Sequence, residues 1–275
     1  MADRISPYGG YSFGNKAQYR RTVWNQFRLF LNGQCHDKQA LLMPSIEGLE
    51  IDVAINNGFR QCNLHIVDNN PAIVATLKRK YPYINTYGVS VNHAIERIAK
   101  KCIRLSCANF DFTGPVFTDK QMNNIIHCTH PYVFTDRNII AVTALCGRDD
   151  PKILAWNSAS LKSSDRSLYS HIPGITSEVI AVRAIGIAGL TENYMATDIH
   201  GNNIGCKRLS FTDINRVIKY RSTSKQDFIS VICTRSRIDK IVDTTSIIDI
   251  PAIRMCEISR LAKKQRTARG ELIFK

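Results

Sequence analysis

Short apolar runs alternate with stretches of helical periodicity along most of the chain. Residues 40–43 ("ALLM"), 63–67 ("NLHIV"), 84–89 ("INTYGV"), 103–112 ("IRLSCANFDF") and 138–146 ("NIIAVTALC") read as five strands. The last is apolar throughout, as expected of a central strand covered on both faces. Between the runs, apolar residues return every three or four positions, the spacing of one helix face. Tyr19, Val23, Phe27 and Phe30 mark an amphipathic helix that stops at Gly33. Ile46, Leu49 and Val53 mark the inner face of a helix over 46–57, closed by Asn57-Gly58. Asn70 and Pro71 open a third helix, as cap and first residue, and it ends before Pro82. Ala94, Ile95, Ile98 and Ala99 line a fourth. Gly114-Pro115 breaks the fourth strand ahead of a helix near 119–126. Further on, 176–190 reads as helix, 194–199 and 227–234 as closing strands, and 216–222 as an extra strand between them.

Strands separated by helices imply right-handed crossovers and a doubly wound, mostly parallel α/β sheet with helices on both faces. The expected organisation is an N-terminal arm and amphipathic helix over 1–39, one α/β domain over 40–250, and a basic extension over 251–275. Residues 147–175 break the alternation and read as a long insertion, of the kind that carries function or mobility.

Charge changes the picture most. The net charge is +14, from 37 basic and 23 acidic side chains. It gathers at the ends: Lys16, Arg20, Arg21 and Arg28 lie in a stretch without acids, and residues 254–275 carry seven basic and two acidic residues. A polyanion is the expected partner, DNA or RNA first. Phosphate contacts alone would position such a partner without reading its sequence. No apolar run is long enough to span a membrane and the N-terminus has no signal-peptide core, so a cytoplasmic location is expected. Nine cysteines without a CxxC pair fit reduced thiols. His127, Cys128 and His130 stand close together, but no second ligand group accompanies them, and no metal is expected. Oligomeric state is left open.

Ligands of an open parallel sheet bind beyond the carboxyl ends of its strands. Three loops fall there. "PSIEGLE" follows the first strand, with Pro44, with Ser45 as a helix cap, with Glu47, and with Gly48 permitting close approach. "VDNNP" ends the second strand at Asp68 and Asn69, and an acid there can accept from both hydroxyls of a ribose. "NFDFTGP" ends the fourth and brings Asn109 and Asp111 to the same edge. Read one at a time, Asp68 is equally a cap of the next helix and Asp111 a turn residue.

The succession of these loops over residues 40–146 resembles the class I S-adenosylmethionine-dependent methyltransferases. The resemblance implies S-adenosylmethionine as cofactor and strand order 3-2-1-4-5-7-6. It implies that Pro44, Ser45, Glu47 and Gly48 border the methionine part, that Asp68 and Asn69 hold the ribose, and that Ser90, in "VSV", lies by the adenine. Asn109 and Asp111 would be catalytic. Residues 49–82 are also similar to divergent methyltransferase-like proteins of phages and mobile elements. Two departures stand out: the glycine-rich GxGxG is absent, with Glu47 in its place, and "NFDF" lacks the Pro-Pro-aromatic sequence of amino-methylating members. Glu47 or Glu50 could pair with the donor's amino group instead. The resemblance thus implies methyl transfer to nucleic acid, with Trp156 and Tyr169 of the insertion available to stack bases. Two alternatives stay open. One is an inactive relic binding nucleic acid or protein. The other is a nucleotide-processing enzyme using Glu47, Asp68 and Asp111.

Overall fold

The structure is a computed structural model, described for residues 15–116, 118–130, 133–147, 173, 178–197, 203–222 and 225–243. Most of the 147–175 insertion, with Trp156 and Tyr169, the arm before Asn15 and the basic extension lie outside the described residues. Eight strands form one sheet: β1 Ala40–Leu42, β2 Leu64–Val67, β3 Asn85–Tyr87, β4 Leu105–Pro115, β5 Phe134–Leu145, β6 Asn193–Thr197, β7 Asn203–Arg221 and β8 Asp227–Asp243. Their order is β3-β2-β1-β4-β5-β8-β7-β6. The first five in that order are parallel, and β8, β7 and β6 continue antiparallel. The fold is the doubly wound, mostly parallel α/β sheet expected. The sheet has eight strands where the resemblance implies seven: the expected closing strands are β6 and β8, and the extra strand read at 216–222 between them is the end of the long β7, which starts at Asn203.

Among the described residues, six α-helices cover the faces: α1 Asn15–Phe30, α2 Leu49–Asn56, α3 Pro71–Lys80, α4 Val91–Lys100, α5 Asp119–Cys128 and α6 Glu178–Glu192. Residues of α1, α2 and α3 share one core with Leu42, Ile66, Cys107, Ala141 and Ile232. Those of α4, α5 and α6 share the other with Leu41, Val67, Phe110, Val142 and Val231. Alternation along each strand divides the two sets. Where it can be checked, local chemistry sets the helix starts. Asn70 accepts from the Ala72 N–H with Pro71 behind it, Ser90 accepts from His93, and Thr118 accepts from Gln121.

One helix turned out rotated from its apolar pattern. α2 begins at Leu49, not near Ile46, and its buried residues are Glu50, Ile51 and Ala54. Ile46 is exposed, and Leu49 and Val53 are only half-buried. The pattern misleads because an acid takes the inner face, where two side-chain N–H groups receive it. On α4, Ala94, Ile95 and Ile98 are buried as expected and Ala99 is exposed.

On the opposite face, Arg235 of β8 is buried against the ends of two helices. Its Nη1 donates to the carbonyls of Thr129 (2.6 Å) and Thr191 (3.0 Å), and its Nε donates to Asn138 Oδ1 (3.0 Å). Thr129 is the C-cap of α5 and Thr191 lies in the last turn of α6. A cation there meets the negative ends of two helix dipoles and satisfies carbonyls that helices leave open. The guanidinium also lies over the Phe134 ring, 4.7 Å from its centre. Replacing Arg235 by Met is expected to lower unfolding free energy by about 2–4 kcal/mol, since buried carbonyls lose a charged donor. A urea midpoint that does not move would refute this role.

Candidate functional site

Parallel register aligns the site before any side chain is considered. Ile66 of β2, Leu42 of β1 and Asn109 of β4 stand in one row. Two residues further along, Asp68 and Asp111 flank the chain as it leaves β1 through Met43 and Pro44. At ordinary strand spacing their Cα atoms are about 9–10 Å apart. Both belong to the sheet face that carries α1, α2 and α3. The three loops singled out in the sequence therefore meet at one edge.

Asn109 is fully buried and held on both sides. Its Nδ2 donates to Glu50 Oε1 (2.6 Å), and its Oδ1 accepts from the Tyr19 hydroxyl (2.9 Å). The Tyr19 oxygen lies 2.8 Å from Thr143 Oγ1. With Tyr19 donating to Asn109, the Thr143 hydroxyl is the donor of that second bond. Trp24 Nε1 also donates to Glu50 Oε1 (3.2 Å). One amide thus ties α1, α2, β4 and β5 together. Both ends of the Asn109 amide are thus engaged within the protein.

Burial raises the Glu50 carboxyl from its ordinary 4.5 to about 7; the Asn109 N–H, Arg20 and Lys16 oppose the rise and Asp111 adds to it. Burial is also what raises the Tyr19 hydroxyl, with Asp111 and Glu50 adding to it.

Asp111 is paired. Its Oδ2 lies 2.8 Å from Lys16 Nζ in the first turn of α1, with the two side chains 12% and 15% exposed. Lys16 is thus drawn into the site, and Arg20 is buried too. Of the four basic residues expected to present a phosphate-binding face on α1, only Arg21 and Arg28 are exposed. The reason is helical spacing: Lys16, Tyr19, Arg20, Val23 and Phe27 share the inner stripe.

The loop after β1 departs further from expectation. Ser45 does not cap α2; Gly48 does, with φ +71 and no side-chain bond. Nor does Gly48 hold space open for a ligand. A Cβ there would meet the Tyr81 ring at 2.8 Å and Leu77 at 3.1 Å. Tyr81, at the end of α3, donates to the Gly48 carbonyl (3.2 Å) and to Asp52 Oδ1 (2.6 Å). Lys80 adds a bond to the Glu47 carbonyl at 2.9 Å. The loop is closed from behind by this chain's own α3.

Two buried polar atoms of that loop have no hydrogen-bond partner, Ser45 Oγ and Glu47 Oε2. Asp68 is half-buried and its Oδ1 accepts from the Asn70 N–H at 2.7 Å. Burial pushes its carboxyl up, against that bond. Its second oxygen has no partner among the described residues. Asn69 and Ser90 are exposed. Ser90 caps α4, and its Oγ lies 3.1 Å from His93 Nδ1. Pro44 is buried. These donors and acceptors fit the polar ends of S-adenosylmethionine: Glu47 an ammonium, Ser45 a carboxylate, Asp68 a ribose diol. Gly48 does not fit as a close-approach position. His127 is exposed while Cys128 is buried and donates to Asn92, so that sequence cluster does not converge.

Sequence reasoning missed Tyr19, Tyr81 and Tyr220 as parts of this edge. Tyr19 reads as an apolar position and Tyr81 as the end of a helix, and nothing local signals where their hydroxyls end. Tyr220 stacks on Tyr19 with ring centres 4.8 Å apart, and on Phe228 at 5.4 Å.

No protein-family description and no curated protein matches the chain. Solved structures of similar layout include an O-methyltransferase from Bacillus cereus in complex with SAH (8% identity, 83% of this chain and 84% of that one, TM-score 0.42). Another is the 1,6-didemethyltoxoflavin-N1-methyltransferase of Burkholderia thailandensis with S-adenosylhomocysteine (7%, 79% and 78%, 0.42). A third is a Streptococcus thermophilus protein provisionally named a hemolysin (10%, 94% and 79%, 0.46). At such scores these likenesses carry no weight for function.

The raised Glu50 carboxyl makes a signed prediction. The folded chain holds that proton more tightly than the unfolded one. Its contribution to stability is complete below about 4.5 and is lost as pH rises through about 7. Gln keeps the accepting oxygen without the charge. Glu50→Gln should therefore match the wild type near pH 5 and exceed it above pH 7.5 by about 2–3 kcal/mol. Urea titrations of both proteins across that range measure it, and a constant difference with pH would contradict it.

Proposed function

We propose that the chain is an S-adenosylmethionine-dependent methyltransferase acting on nucleic acid. The observation that carries the reading is the sheet edge itself. The observed order keeps the 3-2-1-4-5 core and the antiparallel end implied by the resemblance, and Asp68 and Asp111 flank the β1 exit there. In this reading the free Asp68 oxygen accepts from a ribose hydroxyl, and Glu47 Oε2 receives an ammonium. When bound, S-adenosylmethionine supplies a methyl group activated by its sulfonium. Asp111 accepts a hydrogen bond from the acceptor nitrogen and takes its proton, through whichever oxygen Lys16 does not hold. Asn109 fixes the floor beneath, oriented by Glu50. Acceleration comes mainly from holding the two reactants in line. The net charge of +14 supports a polyanionic acceptor. The phage or mobile-element setting and a cytoplasmic location belong to the same proposal. No helix among the described residues is long and apolar enough to cross a membrane.

A second reading is favoured by two specific observations. The Tyr81 ring fills the space that Gly48 would offer, and Lys16 neutralises Asp111. Both suit a relic that binds nucleic acid or a protein partner without transferring methyl groups.

Donor binding and transfer separate the two. Calorimetry should find S-adenosylmethionine binding, weakened by about 1.5–3 kcal/mol in Asp68→Ala, the scale of a lost bond to a charged group. Equal affinities would remove Asp68 from the site. With tritiated donor and mixed DNA and RNA, Asp111→Asn should keep donor affinity and cut labelling by roughly two to four orders of magnitude. Donor binding with no labelling of DNA, RNA or protein by the wild type would put the relic first.

A further inference from the structure

Under the first two turns of α1 lies a polar island of which the proposed reaction uses only Asn109 and Asp111. Tyr19 is its centre. Its ring is stacked on Tyr220 at 4.8 Å and 22°, and its hydroxyl meets Asn109 Oδ1 and Thr143 Oγ1. Thr143 pairs directly with Ser230 of β8 and with Asp111 of β4, so all three project from the same face. Two hydroxyls here are buried without a hydrogen-bond partner: Ser230 Oγ, on a residue 0% exposed, and the Tyr220 hydroxyl, on a residue 5% exposed. Buried polar atoms left without a bond in a folded protein call for an explanation. Tyr19 offers one hydroxyl to a pocket wall that has more polar groups than it can satisfy.

We propose that the Tyr19 ring holds the place of the acceptor, and that a nucleobase replaces it on Tyr220 when the first two turns of α1, residues 15–22, withdraw. The proposal rests on the reading of nucleic acid as acceptor and names where the base would sit. A base is planar like the phenol ring it displaces, and stacking on an aromatic floor accepts any base. Its edge carries several donors and acceptors, enough for Asn109, Thr143 and Ser230 together. The exchange also frees Asp111 at the rim, because Lys16 leaves with the same segment. Only residues 15–22 need to move. Val23, Trp24 and Phe27 are fully buried and hold the rest of α1 to the sheet, with Trp24 packed edge-on against Phe59. The first turn of a helix lacks intrahelical acceptors for its N–H groups and is the part that opens most easily.

Tyr19→Ala tests the slot by leaving a ring-sized space. Free adenine or cytosine at millimolar concentration should raise the melting temperature of Tyr19→Ala by several degrees. It should leave the wild type unmoved and fail on Tyr19→Ala/Tyr220→Ala. The control is phenol, which replaces the lost ring and hydroxyl atom for atom. Rescue by phenol with none from either base overturns the proposal, because the slot is then shaped for tyrosine alone. Should Tyr19→Ala not fold, Lys16→Ala loosens the turn without touching the ring. An oligonucleotide carrying 4-thiouracil should then crosslink at Tyr19 or Tyr220 several-fold more than in the wild type, and crosslinks confined to other elements overturn the proposal. Methyl labelling is read separately. Labelling without any base effect removes the slot and keeps the enzyme; base binding without labelling keeps the slot and removes methyl transfer.

Discussion

A single amide governs this end of the molecule. Asn109 lies at full burial in the middle of the sheet, so both its polar atoms need partners. It finds Glu50 on one side and Tyr19 on the other. Those two bonds fix the inner face of α2, the seating of α1, and through Thr143 the contact of α1 with β5. Glu50 in turn is tolerable at that depth because Trp24 and Asn109 both donate to it. None of the four groups could be buried alone without a large cost. Together they form one closed set, and buried polar networks that are satisfied tend to specify one arrangement.

The consequence for chemistry is an edge with its acids in place and its gaps filled. Asp68 and Asp111 stand either side of the β1 exit, as an open α/β sheet would place ligand-binding residues. Yet Tyr81 occupies the room beside Gly48, and Lys16 and Tyr19 occupy the room beside Asp111. Side chains of this chain stand where a donor and an acceptor would come close. The methyl-transfer and relic readings differ over whether those side chains move.

The far face shows the same economy with charge. Arg235 is buried against two helix ends, whose carbonyls accept from its guanidinium. With β8 antiparallel to β5, its strand position sets the guanidinium between α5 and α6. The antiparallel end of the sheet is thereby tied to the helices of the parallel half.

Much of the layout was legible in the residue order. Strand positions, the doubly wound class, the Asn70-Pro71 helix start and the convergence of three loops all follow from local pattern and from rules of connection. Period and capping are local physics, felt by residues a few positions apart. The buried Glu50, the hydroxyls of Tyr19 and Tyr81, and the burial of Lys16 and Arg20 were not legible. Each depends on a partner 26 to 124 positions away, or on which side of a helix meets the sheet. An amphipathic pattern ranks Glu50 and Lys16 as outward because it counts their charge without knowing what receives it. The pattern found β7 only at 216–222 for a related reason: its earlier residues become strand by pairing with β6 and β8. The sequence by itself determined which loops reach the ligand edge, because strand and helix periods are written in adjacent residues. Only tertiary structure decided which side chains close that edge, because burial of a polar group is settled by the partners that meet it there.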